Sequence, residues 1–199
     1  MPKIVSEEER ALTKQAIYER TIQLMKQKGI RAITVDDIIG AVGIGKGAFY
    51  TYFPSKEICL YDVILQYEKN IFLKIESIIA SVYSEKDKLV FLLSELFTSE
   101  DNLMTSISPM DKEFLLRKLP IEYHEKEKVK SEDHFQKALL FMKLNQQQME
   151  VVALLIDCLS FMASNKDYSR AGTKKAQDVL INTISDFIMS AKNKNTENE

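Results

Sequence analysis

Apolar residues recur at helical spacing through the longer segments of this chain, and nowhere do they alternate with polar residues over a strand-like stretch. Only six glycines and four prolines interrupt the 199 residues. The pattern predicts an all-α fold. Helices are expected at about residues 6–28, 35–42, 46–52, 55–81, 86–98, 111–118, 132–143, 146–164 and 173–191.

The helix boundaries near the N-terminus are marked by local signals. Ser6 with Glu9 resembles a capping box, Thr34 stands where an N-cap belongs, and Gly29 supplies a C-terminal stop. Two short helices separated by a three-residue turn (residues 43–45), with a long helix following, form the arrangement that places a recognition helix in the DNA major groove. We therefore expect a three-helix head over residues 1–54, a second domain over 55–191 and a disordered tail over 192–199.

Charge is distributed unevenly between these parts. Residues up to Lys56 include nine basic and six acidic side chains, which gives a net charge of +3. The residues after Lys56 include 18 basic and 23 acidic side chains, which gives a net charge of −5. A polyanion is thus expected to bind at the head. An imbalance of this size also occurs in proteins that bind no nucleic acid.

Membrane insertion and secretion are not expected. The longest nearly apolar stretch, residues 151–163, contains Asp157 and is shorter than the roughly 20 residues of a membrane-spanning helix. A secretion signal has an apolar segment after a basic start, and the N-terminus of this chain has no such segment. A cytoplasmic location is expected.

No pattern of catalytic or metal-binding residues is present. Cys59 and Cys158 show no CxxC spacing, and His124 and His134 lie ten residues apart, so neither a disulfide framework nor a zinc site is expected. We find no Ser/His/Asp order, phosphate-binding glycine loop or carboxylate pair with metal spacing. The chain is predicted not to be an enzyme and to need no cofactor.

The helix predicted at 146–164 is apolar nearly all round and must be covered on both sides. A second copy of the chain is one source of cover, and a central position in the core of a monomer is the other. Under the first interpretation the dimer interface is formed by apolar residues of the last two helices. These are Met149, Val152, Ile156, Leu159, Val179, Leu180, Ile184 and Phe187.

Residues 29–60, GIRAITVDDIIGAVGIGKGAFYTYFPSKEICL, resemble the tetracycline-repressor (TetR) family of bacterial transcriptional regulators. The residues that match the family pattern are Gly29, Thr34, Ile38, Gly43, Ile44, Phe49, Tyr50, Tyr52, Phe53, Ser55, Lys56 and Glu57. The resemblance covers a quarter to a third of the chain. It implies a head that binds an operator, joined by a long fourth helix to a helical body that binds an effector and dimerises.

The resemblance also implies a DNA-binding site on the head. Thr34 and the N-terminal amides of its helix would bind a phosphate, and Lys46 would reach a guanine edge or a phosphate. The small Gly47 and Ala48 would allow close approach to bases, and Lys56 would add charge. The predicted site is Thr34, Lys46, Gly47, Ala48, Tyr50, Thr51, Tyr52 and Lys56.

Three neighbouring side chains are left out of this site. Phe49 and Phe53 are expected in the core of the head. Asp36 occupies a position from which some family members contact bases with a cation, and an anion there would repel a phosphate. The predicted DNA contacts therefore exclude all three.

The resemblance further implies a homodimeric repressor that leaves an inverted-repeat DNA operator when a small-molecule effector of unknown identity binds. Apolar and aromatic residues of the middle helices are candidates for the effector site, with ordinary core packing as the alternative for each. They are Tyr67, Phe72, Phe91, Phe97, Phe114 and Phe135. The competing function is an all-helical dimer that mediates protein interactions without DNA.

Overall fold

A computed structural model describes residues 6–99, 102–103, 107–125, 144–164 and 171–196. All regular secondary structure in these ranges is helical, which confirms the all-α prediction. The helices are α1 (Glu7–Lys28), α2 (Val35–Val42), α3 (Lys46–Tyr52), α4 (Lys56–Ala80), α5 (Glu85–Phe97), α6 (Pro109–Leu116), α7 (Gln146–Ser164) and α8 (Ala171–Thr196). No helix among the described residues is long and apolar enough to cross a membrane.

The predicted bounds agree with the structure for α2, α3 and α7 and differ by a few residues elsewhere. A 3₁₀ turn at Ile30–Ala32 and a helical turn at 121–125 were not expected. Helix α8 continues past its predicted end at Ala191 because the next five residues contain neither glycine nor proline, so the prediction of a disordered tail is wrong for residues 192–196. The helix predicted at 132–143 lies outside the described residues.

The chain divides into two compact units, and α4 runs through both. The first unit comprises Met1–Ile71 and Ser106–Leu119. Its core contains fully or almost fully buried side chains from α1 to α4, which include Ile17, Met25, Ile38, Phe49, Phe53 and Leu60. Phe49 and Phe53 thus lie in the core of the head, as predicted.

A capping box fixes the beginning of α2. The Asp37 amide donates to Thr34 Oγ1 at 3.1 Å, and the Thr34 amide donates to Asp37 Oδ2 at 2.9 Å. Lys28 Nζ donates to the other carboxylate oxygen of Asp37 at 2.5 Å. The bond from Lys28, followed by those from the backbone and hydroxyl of Thr34, lowers the pKa of Asp37 to about 2. The end of α1 is thereby connected to the start of α2.

We expect the contribution of Asp37 to stability to depend on pH. Because the folded-state pKa lies below the ordinary value of 3.8, the contribution is complete above about pH 4 and is lost as the pH falls towards 2. The melting temperatures of the wild type and of Asp37→Asn should therefore differ at pH 5 and become similar near pH 2. An equal difference at both pH values would contradict the assignment.

The second unit comprises Phe72–Thr105 and Pro120–Glu199, and its described core is built by α5, α7 and α8. Side chains from the three helices form one apolar cluster. Its buried members are Leu89, Leu93, Val152, Leu159, Ile181, Ile184 and Ile188. Each helix therefore presents one apolar side to the other two.

This packing corrects the predicted dimer interface. Val152, Leu159 and Ile184 are completely buried within the single chain, so they are not available to a second copy. Four other predicted residues are half-buried: Met149, Ile156, Leu180 and Phe187. Val179 alone among the eight is well exposed, at 60%. The interpretation of α7 as a core helix is correct for one of its sides.

The opposite side of α7 is also apolar. Val151, Leu154, Cys158 and Phe161 follow one another at helical spacing and are all exposed. We call these four residues the outer stripe of α7. A sizeable apolar stripe on a surface helix is typical of a binding surface.

Candidate nucleic-acid interface

A glycine-dependent turn joins α2 to α3. Gly43 adopts a left-handed conformation, with φ +78° and ψ +33°, and its amide donates to the Ile39 carbonyl at 2.8 Å. The Ile44 amide donates to the same carbonyl at 3.1 Å. A residue with a Cβ would be strained at Gly43. The turn ends α2 and allows α3 to begin at Lys46.

Helix α3 has a buried side and an exposed side. Phe49 points into the head, where its ring lies 5.9 Å from that of Phe53 and 5.4 Å from that of Tyr50. Five of the eight predicted DNA-contacting residues are exposed on this one helix, and Tyr52 is half-buried. The five are Lys46, Gly47, Ala48, Tyr50 and Thr51.

Two of the predicted hydroxyl donors already have intramolecular acceptors. Thr51 Oγ1 donates to the Ala48 carbonyl at 2.7 Å, and Thr34 Oγ1 donates to Asp37 Oδ2 at 2.9 Å. For either hydroxyl to donate to a phosphate, that oxygen would have to replace the acceptor now bound. The two threonines are exposed, yet they are less free to donate than the sequence suggests.

Lys56 contributes to the fold of the head. Its ammonium donates to the Ile33 carbonyl at 2.8 Å and lies 3.7 Å from the Glu57 carboxylate. The side chain is only 22% exposed. Lys56 therefore connects the start of α4 to the segment that precedes α2, in addition to placing a positive charge there.

Asp36 and Lys46 form an ion pair that the sequence did not reveal. Lys46 Nζ lies 3.5 Å from Asp36 Oδ1, across the turn between the two helices. The two residues are ten positions apart, and only the course of the turn brings them together. Asp36, which we excluded from the predicted DNA contacts, thus lies beside the first residue of the recognition helix.

The effector candidates are distributed over both units. In the first, Tyr67 is half-buried on α4 and the Phe114 ring lies under the Arg31 guanidinium, 5.0 Å away. In the second, Phe97 packs on the apolar cluster and the Phe91 ring lies 4.9 Å from that of Tyr83. Half-buried Phe72 belongs to the second unit, and Phe135 lies outside the described residues.

The geometry of α2, the turn and α3 defines a helix-turn-helix DNA-binding domain. Comparison with known proteins agrees with this description: the sequence model of the bacterial regulatory proteins of the tetR family matches residues 17–61. Over these residues the chain matches the helix-turn-helix segment of TetR-family transcriptional regulators.

Named relatives match part of the chain. The HTH-type transcriptional regulator YuxN of Bacillus subtilis is 40% identical over 62 residues, which are 31% of this chain and 21% of YuxN. The HTH-type transcriptional repressor KstR2 of Rhodococcus jostii is 32% identical over 78 residues, or 39% of this chain and 38% of KstR2. The matches thus span only a fifth to two fifths of these relatives.

Two solved structures share the fold. A TetR-like transcriptional regulator from Rhodococcus sp. RHA1 superimposes with a TM-score of 0.59 at 14% identity. The fatty acid degradation regulator FadR from Bacillus halodurans superimposes with a TM-score of 0.57 at 17% identity. Each alignment covers 88% of this chain and 94% of the other. At these identities the likeness concerns the fold alone.

Proposed function

We propose that the protein represses transcription by binding an inverted-repeat operator as a homodimer, and that a small molecule releases it. The observation that carries the proposal is the division of α3 into a buried and an exposed side. Phe49 holds the helix against the head, and the exposed side presents a lysine, small residues and hydroxyls to the solvent.

The exposed residues of α3 suit the major groove. Lys46 is 59% exposed and can donate to guanine O6 and N7, the acceptors that lysine commonly contacts. Gly47 and Ala48 leave space for the bases, and the Ala48 methyl suits a thymine methyl. Tyr50 and Tyr52 offer hydroxyls to the phosphates, which position the protein without selecting a sequence. Thr51 can do so only when a phosphate oxygen replaces the Ala48 carbonyl as its acceptor.

The homodimer accounts for recognition of an inverted repeat. Two heads read half-sites about 34 to 36 Å apart, one helical turn of DNA. We place the contact between subunits on the outer stripe of α7 and on the exposed Val179 of α8, because the buried apolar residues of both helices are already packed within one chain. An effector would act by binding more tightly to a state with the wrong head spacing.

Binding to a pool of random duplexes at two salt concentrations tests the proposal. Neutralisation of phosphates makes DNA affinity fall steeply with salt, and selection should yield an inverted repeat. A dimer that only mediates protein interactions would enrich no sequence, and binding to no duplex at low ionic strength would reject the proposal.

Lys46 and Lys56 should have different effects on DNA binding. Lys56→Ala is expected to weaken binding to all sequences alike and to lower the slope of log affinity against log salt concentration by about one. Lys46→Ala should instead change the preference between operators. Lys69→Ala, which removes an exposed lysine further along α4, serves as the control and should leave the slope unchanged. Equal losses on every duplex after Lys46→Ala would show that Lys46 reads no base.

A further inference from the structure

Asp36 and Lys46 face each other across the turn of the helix-turn-helix. Their charged atoms are 3.5 Å apart, and the side chains are 75% and 59% exposed. Lys46 is the first residue of α3, where the helix dipole disfavours a cation, and Asp36 lies in the first turn of α2, where the dipole favours an anion. The carboxylate therefore offsets the unfavourable position of the lysine and holds its ammonium close by.

The two acidic residues of α2 have different environments. Asp37 receives bonds from Thr34 and Lys28 and is committed to the start of the helix. Asp36 takes no part in this capping box, and its carboxylate is mostly open to solvent beside Lys46. Asp36 is thus the acid of α2 that can meet a ligand without breaking the cap.

Together the pair presents a hydrogen-bond donor and an acceptor side by side. In the major groove a G·C base pair offers guanine O6 as an acceptor and the cytosine N4 amino group as a donor. These two groups are hydrogen-bonded to each other, so they lie about 2.9 Å apart. This spacing is similar to the distance between Lys46 Nζ and Asp36 Oδ1.

We propose that Asp36 and Lys46 read one G·C base pair in each half-site as a unit, with Lys46 donating to guanine O6 and N7 and Asp36 accepting from cytosine N4. The inference rests on the proposed DNA binding and adds the identity and orientation of one base pair. Asp36 becomes a specificity residue, although an anion at this position cannot bind a phosphate.

The edges of the other base pairs explain the selectivity. A reversed C·G pair places an amino group against the ammonium and a carbonyl against the carboxylate. A T·A pair keeps the central carbonyl and amino group, but it sets the thymine methyl beside Lys46 and the adenine N7 acceptor beside Asp36. Only the G·C orientation satisfies both side chains.

Selection from random duplexes, repeated with Asp36 variants at one fixed salt concentration, tests this inference. The wild type should select G·C at one position of each half-site. Asp36→Ala should reduce discrimination at that position by about fivefold or more and leave the other positions unchanged. Asp36→Asn should move the preference towards T·A, because an asparagine amide binds adenine N6 and N7 in a bidentate manner.

Glu8→Ala is the control, since it removes one exposed negative charge from α1 and leaves the pair intact. If Asp36→Ala strengthens binding to every duplex alike, as a mere loss of negative charge would, the inference is overturned while the proposed function stands. The same holds if neither Asp36 variant changes the selected base. A wild-type protein that selects no duplex overturns both.

Discussion

Replacement of Ile184 with glutamate is expected to unfold the second unit of the chain, not to separate two folded subunits. Ile184 is fully buried among apolar residues of α5, α7 and α8. A carboxylate at this position would lose its hydration without gaining a partner, and the apolar contacts would be lost as well. We expect a loss of more than about 4 kcal/mol, a large part of the stability of an ordinary domain.

Urea unfolding followed by far-ultraviolet circular dichroism measures this loss. Ile184→Val is the matched control, because it removes one methylene group and should cost only about 0.5 to 1.5 kcal/mol. Both variants alter the same buried position, so the contrast isolates the buried charge. If Ile184→Glu unfolds at the same urea concentration as the wild type and is a stable monomer, Ile184 belongs to a contact between subunits. The core described above is then incorrect.

The error in the predicted interface has a physical origin. Helical spacing shows which residues of α7 share a side, and both sides of this helix are apolar. It does not show which side the chain itself covers, since that depends on Leu89 and Leu93 of α5, some sixty residues earlier in the sequence. Val152 and Leu159 pack against these partners, whereas Leu154 on the other side remains exposed.

The head was easier to predict because local interactions determine it. The bounds of α2 and α3 follow from a capping threonine and from Gly43 in a left-handed conformation, which are both legible in a short stretch of sequence. Two interactions in the head were not predicted. They are the ion pair of Asp36 with Lys46 and the hydrogen bond from Lys56 to the Ile33 carbonyl. Both join separate elements, so they depend on how the turn and helices are arranged in space.

The second large effect is expected on the outer stripe of α7. Leu154 is 66% exposed in the single chain, and a glutamate there leaves the core of the second unit intact. In the proposed homodimer the same carboxylate would be buried against the other subunit without a partner. Leu154→Glu should therefore yield folded monomers. Because one head would then bind without the other, operator affinity should fall by about 10² to 10⁴.

Light scattering for the mass in solution and binding to the selected operator measure the two consequences. Leu12→Glu is the matched control for mass, since Leu12 on α1 is also a leucine at 66% exposure. That variant should stay dimeric. Binding of Leu154→Glu to a single half-site should equal that of the wild type, because the head is unchanged. A dimer that persists in Leu154→Glu would exclude the outer stripe as the contact between subunits, whereas a monomer with undiminished operator affinity would show that one head suffices for recognition.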